Sequence, residues 1–129
     1  LKEDRTTCEQ VTRKTLDTLY GFDIGTVLFK PTKTSQIQFR DTYAGAFSYF
    51  VGGDSNFPED KGFALQPWTK VRFENSGFLF TDTTAIAMGN YYFADYNNVE
   101  TKVEYSFGYT LNKGDLKINL HHSSLPFSG

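Results

Sequence analysis

The sequence predicts a single α+β domain, residues 1–129, in which a strongly curved antiparallel sheet wraps a long N-terminal helix as a cone with a pocket at one end. Three observations predict it. Cys8, Val11, Thr15 and Leu19 recur at helical spacing near the start of the chain. Hairpin-length turns at 75–77, 82–83, 95–98 and 112–114 punctuate the remainder. Aromatic side chains make up 17% of the 129 residues, with 13 Phe and 8 Tyr, and such side chains pack well on pleated surfaces. A chain of this length is enough for one real core.

The elements follow in order. Residues 3–19 read as the long helix; Leu16 widens its apolar stripe, and Gly21 after Tyr20 supplies a C-terminal stop. Asp23-Ile24-Gly25-Thr26 reads as a turn and Val27–Lys30 as a strand that Pro31 interrupts. Gln36–Arg40 is expected to form another short strand. Asp41 or Thr42 caps a second, short helix whose apolar face is Ala44, Phe47 and Val51, and Gly52-Gly53-Asp54 ends it. Ser55 to Pro67 is loop, with Pro58, Gly62 and Pro67 in it. A meander then runs through strands Trp68–Glu74, Phe78–Thr81, Thr84–Phe93 and Val99–Tyr109, with a last strand from Asp115. Gly89 and Gly108 sit inside long strands, where a curved sheet needs bends. Ala87–Phe93 carries large apolar groups on both faces, whereas a one-sided sheet alternates apolar with polar. A second copy of the chain is the expected cover for the outer face.

Composition narrows the function. Net charge is −2 with no basic block, which argues against a nucleic-acid partner. The single Cys8 rules out an internal disulfide. No apolar run reaches membrane-spanning length, so no membrane partner is expected. No signal or transit pattern opens the chain, and its abrupt helical start at Leu1 reads as a trimmed chain or one domain of a longer protein.

The last strand, Asp115 to Pro126, carries both histidines of the chain, each followed two residues later by a serine. Strict alternation puts His122 and Ser124 on the face of Leu116, Ile118 and Leu120, where the core becomes a pocket. His121 and Ser123 then share the other face with Lys117 and Asn119; a bulge near the strand end would exchange the two histidines. Catalytic zinc commonly takes three protein ligands and an open position, whereas two adjacent histidines on a strand point apart. No metal ligand set is encoded and no cofactor is expected. Paired carboxylates, a phosphate loop and a nucleophile elbow are absent from the sequence pattern.

Val27-Leu28-Phe29-Lys30-Pro31-Thr32-Lys33, Ser48-Tyr49-Phe50-Val51-Gly52-Gly53, Gly89-Asn90-Tyr91-Tyr92-Phe93 and the terminal His121-His122-Ser123-Ser124-Leu125-Pro126 occur in this order. Together they resemble the iota-class carbonic anhydrases, relatives of the calcium/calmodulin-dependent kinase association domain and of the wider NTF2-like cone. The resemblance implies a homodimer that hydrates carbon dioxide reversibly to bicarbonate, in some members without metal. It implies pocket groups in the His-His-Ser-Ser run, at Tyr49, and at a threonine of the Pro31–Thr34 segment, with Thr32 first and Thr34 second. Periodicity by itself turns Tyr49 away from the presumed apolar face. The expected catalytic set is thus His122 as general base with Ser124, Tyr49 and Thr32; Thr34, His121 and Ser123 are expected substrate contacts. Alternatively, Tyr49 or a serine accepts the proton first, with histidine behind it. An isomerase or dehydratase on the same cone would want a carboxylate that this pocket lacks. A non-catalytic dimerisation or small-ligand module would not need the histidine and serine. The family leaves plastid and bacterial periplasm open as compartments.

Overall fold

The computed structural model describes residues 2–66 and 68–129, with side chains from Arg5 onward. The helical reading of Leu1 and the loop end at Pro67 lie outside the described residues. In chain order the elements are α1 (Lys2–Leu19), β1 (Leu28–Lys30), α2 (Tyr43–Val51), a 3₁₀ turn (Phe63–Leu65), β2 (Lys70–Phe80), β3 (Thr84–Ala94), β4 (Glu100–Asn112) and β5 (Asp115–Ser124).

α1 packs on the sheet through Thr12 and Leu16, a row that Tyr20 continues at i, i+4 spacing just past the helix end, while Val11 is exposed and Leu19 lies half exposed at the edge of a cavity. This corrects the wider stripe expected from Cys8, Val11, Thr15 and Leu19. Aromatic side chains rising from the sheet already fill the concave side, so a narrow helical stripe closes the core. Gly21 follows Tyr20 and donates its N–H to the Ile118 carbonyl at 2.9 Å, fastening the helix end to β5. No helix among the described residues is long and apolar enough to cross a membrane.

The five strands form one sheet in the order β1-β5-β4-β3-β2. β1 runs parallel to β5 and the other pairs are antiparallel, so the sheet is mixed at one edge. Two elements differ from expectation. The expected turn at Asn75-Ser76-Gly77 is a bulge inside a continuous β2, where the register shifts between Asn75 and Gly77. Gly89 lies opposite, and a Cβ there would collide with the Glu74 carbonyl and the Asn75 backbone. Gln36–Arg40 is loop rather than strand, because the amides at its start are taken by a side chain. Glu59 accepts the amides of Ser35 at 2.7 Å, Gln36 at 3.1 Å and Ile37 at 2.7 Å.

α2 begins at Thr42, whose hydroxyl accepts the Gly45 N–H at 3.1 Å, and ends at Gly52, held at φ 67°. Its buried residues are Gly45, Ala46, Ser48, Tyr49 and Val51. Ala44 is exposed and Phe47 half-buried beneath Arg13, so the expected apolar face is corrected toward Ser48 and Tyr49. The helix is covered on two sides: the core takes Tyr49, and the loop after α2 takes Ser48 through Asp60. Asp60 accepts Ser48 Oγ at 2.6 Å and a two-pronged pair from Arg40, both prongs at 2.7 Å. Arg40 is 1% exposed and also donates to the Gly45 and Ile37 carbonyls. The pair therefore ties α2, the loop before it and the loop after it into one unit.

Removing one partner of a buried ion pair strands the other charge, which costs about 3–5 kcal/mol. Arg40→Met is expected to lower unfolding stability by that order in denaturant titration, whereas Arg72→Met, from the solvent-exposed pair with Glu100, is expected to change it by less than about 1 kcal/mol.

Candidate active site

Between Gly108 and Tyr109 the pairing of β4 with β5 jumps from Leu120 to Ile118, leaving Asn119 unpaired. This one-residue bulge shifts the alternation of β5. Ile118 faces the core before it, and His121 and Ser123 face the core after it, at 8% and 1% exposure. His122 is exposed and Ser124 half-buried on the outer face, beside Met88, Asn90 and Ser106. The pocket assignment of His122 and Ser124 by strict alternation is therefore corrected: His121 and Ser123 take the inner positions. Gly108 permits the bulge, since a Cβ there would stand 2.8 Å from Asn119 Oδ1 and 2.9 Å from Leu120 Cβ.

His121 and Ser123 line a cavity of about 260 Å³ at the concave end of the sheet. Tyr20, Tyr49, Tyr91 and Thr32 supply its other polar groups, and phenylalanines supply most of the rest, with Thr15 and Leu19 of α1 at one side. The imidazole is sandwiched between Phe107, 4.2 Å between ring centres, and Phe29, 4.9 Å. Both ring nitrogens are engaged. Nδ1 lies 2.8 Å from Tyr20 Oη; Nε2 lies 3.1 Å from Tyr91 Oη and 3.1 Å from Ser123 Oγ. Tyr91 and Ser123 also hydrogen-bond each other.

Electrostatically the cavity is neutral. Burial, and next the charge of neighbouring His122, lowers the His121 pKa to about 3, so the ring is uncharged at neutral pH. Burial pushes Tyr91 up to about 12 against the pull of its Ser123 bond. Burial raises Tyr20 and Tyr49 as well, so all three hydroxyls keep their protons. Among the described residues no carboxylate lines the space.

Tyr49 reaches the cavity from α2, and its Oη accepts the Lys33 N–H at 3.2 Å. Thr32 lines the cavity beside Tyr49. Thr34 does not line it: its hydroxyl donates to the Gln38 carbonyl at 2.9 Å and holds the loop. Sequence reasoning missed Tyr20 and Tyr91. Tyr91 had a legible signal, since it shares strand parity with Ala87 and Phe93 and brings a hydroxyl into an apolar row. Tyr20 had a weaker one, its i+4 spacing from Leu16. Among the described residues no three His, Cys, Asp or Glu side chains gather as a metal-binding group. The arrangement can accept a small apolar molecule, offer hydroxyl donors to a developing anion, and pass a proton from a hydroxyl to a neutral imidazole.

Residues 1–125 match the family model for metal-independent carbonic anhydrase. A metal-independent carbonic anhydrase from Nostoc sp. (strain PCC 7120) is 43% identical over 125 residues, 95% of this chain. The chain spans 61% of that relative's length. The crystal structure of a cyanobacterial iota-carbonic anhydrase complexed with bicarbonate superposes with a TM-score of 0.92 at 42% identity, covering 97% of this chain and 77% of the other. A protein from Xanthomonas campestris, described as a calcium/calmodulin-dependent protein kinase II association domain, shares the fold at a TM-score of 0.64 and 21% identity, covering 98% and 84%.

The depressed pKa of His121 has a consequence for stability. Below the ordinary histidine value near 6.5 the unfolded chain takes a proton that the folded state refuses. Unfolding free energy is expected to fall between pH 6.5 and 5, by at most about 1.4 kcal/mol per pH unit. Denaturant titrations across that window check it, and His121→Phe should flatten the slope.

Proposed function

The chain belongs to the metal-independent carbonic anhydrase family, and on that premise we propose that it interconverts carbon dioxide and bicarbonate in the cavity around His121. The observation that carries this reading is a neutral imidazole hydrogen-bonded through Nε2 to a serine and a tyrosine hydroxyl inside an apolar cavity.

Phenylalanine walls suit carbon dioxide, which is apolar and has no charge to solvate. A water held by Ser123 and Tyr91 attacks its carbon. One water proton passes to Ser123 Oγ as the serine gives its own proton to His121 Nε2. This direction requires Nε2 to accept, so Nδ1 carries the hydrogen and donates to Tyr20 Oη. Water and carbon dioxide become bicarbonate, and the released proton rests on His121. Tyr49 and Thr32, both protonated donors, meet the oxygens on which charge develops.

With a pKa of about 3, His121 is a weak base before reaction. Bicarbonate forming beside it supplies an opposite charge, which favours the protonated ring. Bond formation and proton transfer are thereby coupled. Once bicarbonate leaves, the imidazolium stands alone in an apolar site and sheds its proton readily, which resets the enzyme. The chemistry is assigned to this chain's own groups because two histidines pointing to opposite faces cannot supply the usual three ligands of zinc.

The outer sheet face takes a second copy of the chain in this reading. Met88 is 57% and Ile86 47% exposed there, next to His122 and Ser124. Met88→Glu is expected to turn a dimer into a monomer in sedimentation velocity.

Stopped-flow indicator assays of carbon dioxide hydration, on chelator-stripped protein checked by elemental analysis, test the catalytic reading. Stripped protein should remain active. Ser123→Ala is expected to lose about 10²-fold or more in kcat, within the range general acid–base catalysis supplies. Tyr49→Phe should lose at least about tenfold through its missing donor, and Ser124→Ala should stay near wild type. Activity that disappears on stripping and returns with one metal would defeat the metal-free route; full activity in folded Ser123→Ala would defeat the relay.

A further inference from the structure

A second cavity, also about 260 Å³, lies on the other side of Tyr49 and Phe63, which serve as walls to both spaces. Its remaining lining is charged or polar: Lys33, Glu59, Asp60, Lys61 and Gln66. The two carboxylates are already engaged. Glu59 holds the amides of Ser35, Gln36 and Ile37, and Asp60 is paired with buried Arg40 and Ser48. The ammonium groups of Lys33 and Lys61 are exposed, and with Arg40 counted the basin carries a net positive charge. Lys33 Nζ hangs 6.0 Å from the Phe63 ring centre and 5.9 Å from that of Trp68. Its backbone N–H meets Tyr49 Oη. The main cavity, by contrast, is flanked by α1 at Thr15 and Leu19, where no charged side chain among the described residues lines it.

We propose that this basin is the anion vestibule of the site: bicarbonate arrives and leaves past Lys33, Phe63 and Tyr49, while carbon dioxide uses the apolar side at Leu19. The inference rests on the carbonic anhydrase reading and adds to it the route of the charged partner. The physical reason is that a monoanion crossing a phenylalanine-lined mouth loses its hydration without replacement, whereas a positive basin raises its local concentration and its rate of encounter.

Trp68 is the only tryptophan of the chain; its ring packs on that of Phe63, 5.7 Å between centres, and lies 5.9 Å from Lys33 Nζ, so its fluorescence reads the edge of the basin without turnover. Quenching by iodide, divided by quenching by neutral acrylamide, measures anion enrichment. Lys33→Met/Lys61→Met, which keeps the backbone bond to Tyr49, is expected to lower that ratio at least about twofold, and Lys33→Arg/Lys61→Arg should preserve it. In the same Met variant kcat/KM for bicarbonate dehydration should fall about five- to tenfold at low ionic strength and converge on wild type at high salt. The hydration value must fall by the same factor, because the overall equilibrium is fixed. An unchanged quenching ratio would overturn the proposal. So would a lowered ratio with dehydration unchanged at low salt, since the basin would then lie off the route. A quenching difference in a protein with no turnover at all would support the anion basin and overturn the catalytic reading.

Discussion

One unpaired residue, Asn119, sets the chemistry of the concave face. Strand side chains alternate with period two, so a single inserted residue exchanges the faces of everything beyond it. Without the bulge, Ile118 facing inward would carry Leu120, His122 and Ser124 inward with it. With it, His121 and Ser123 enter the cavity and meet Tyr20 and Tyr91. Gly108, with no Cβ to obstruct Asn119, is the counterpart that makes the insertion possible.

The opposite wall depends on a different device. Tyr49 and Thr32 come from a helix and a loop with little regular pairing to hold them in register. Arg40 and Asp60, fully buried together, supply that hold, and Glu59 gathers three amides of the loop just beyond Thr34. Consecutive carboxylates at 59 and 60 thus brace both sides of the Tyr49 hydroxyl. Glu59 is held down to a pKa of about 2 by these bonds and by Arg40, against its own burial, so the brace stays charged through mild acid.

A cavity with no resident charge suits a neutral substrate that becomes an anion. Burial keeps the tyrosines protonated and the histidine unprotonated, so every polar group is ready to donate to or accept from the charge that reaction creates. In the proposed reaction the same burial makes the imidazolium short-lived once the anion has gone. Metal-centred hydration lowers the pKa of water directly; in the proposed reaction the arrangement of hydroxyls around one ring is the corresponding resource.

Much of this was legible in the sequence. Helical spacing, aromatic content and the turn residues at 82–83, 95–98 and 112–114 specify the two helices, the later hairpins and the concave sheet, since these depend on local propensity and burial period, whereas the turn residues at 75–77 form a bulge inside β2. Thr42 and Gly52 bound α2 as their side chains and backbone freedom require. The segment His121–Ser124 could be marked as chemical because polar groups at the end of an apolar strand need a reason to be there. Which histidine enters could not be read, because a bulge is a property of two paired strands and Asn119 carries no signal alone. Tyr49 faces inward because Asp60 and the core cover α2 from two sides, and Tyr20 joins His121 across 101 residues of chain. Contacts between segments far apart in sequence are decided by packing, which local pattern does not encode.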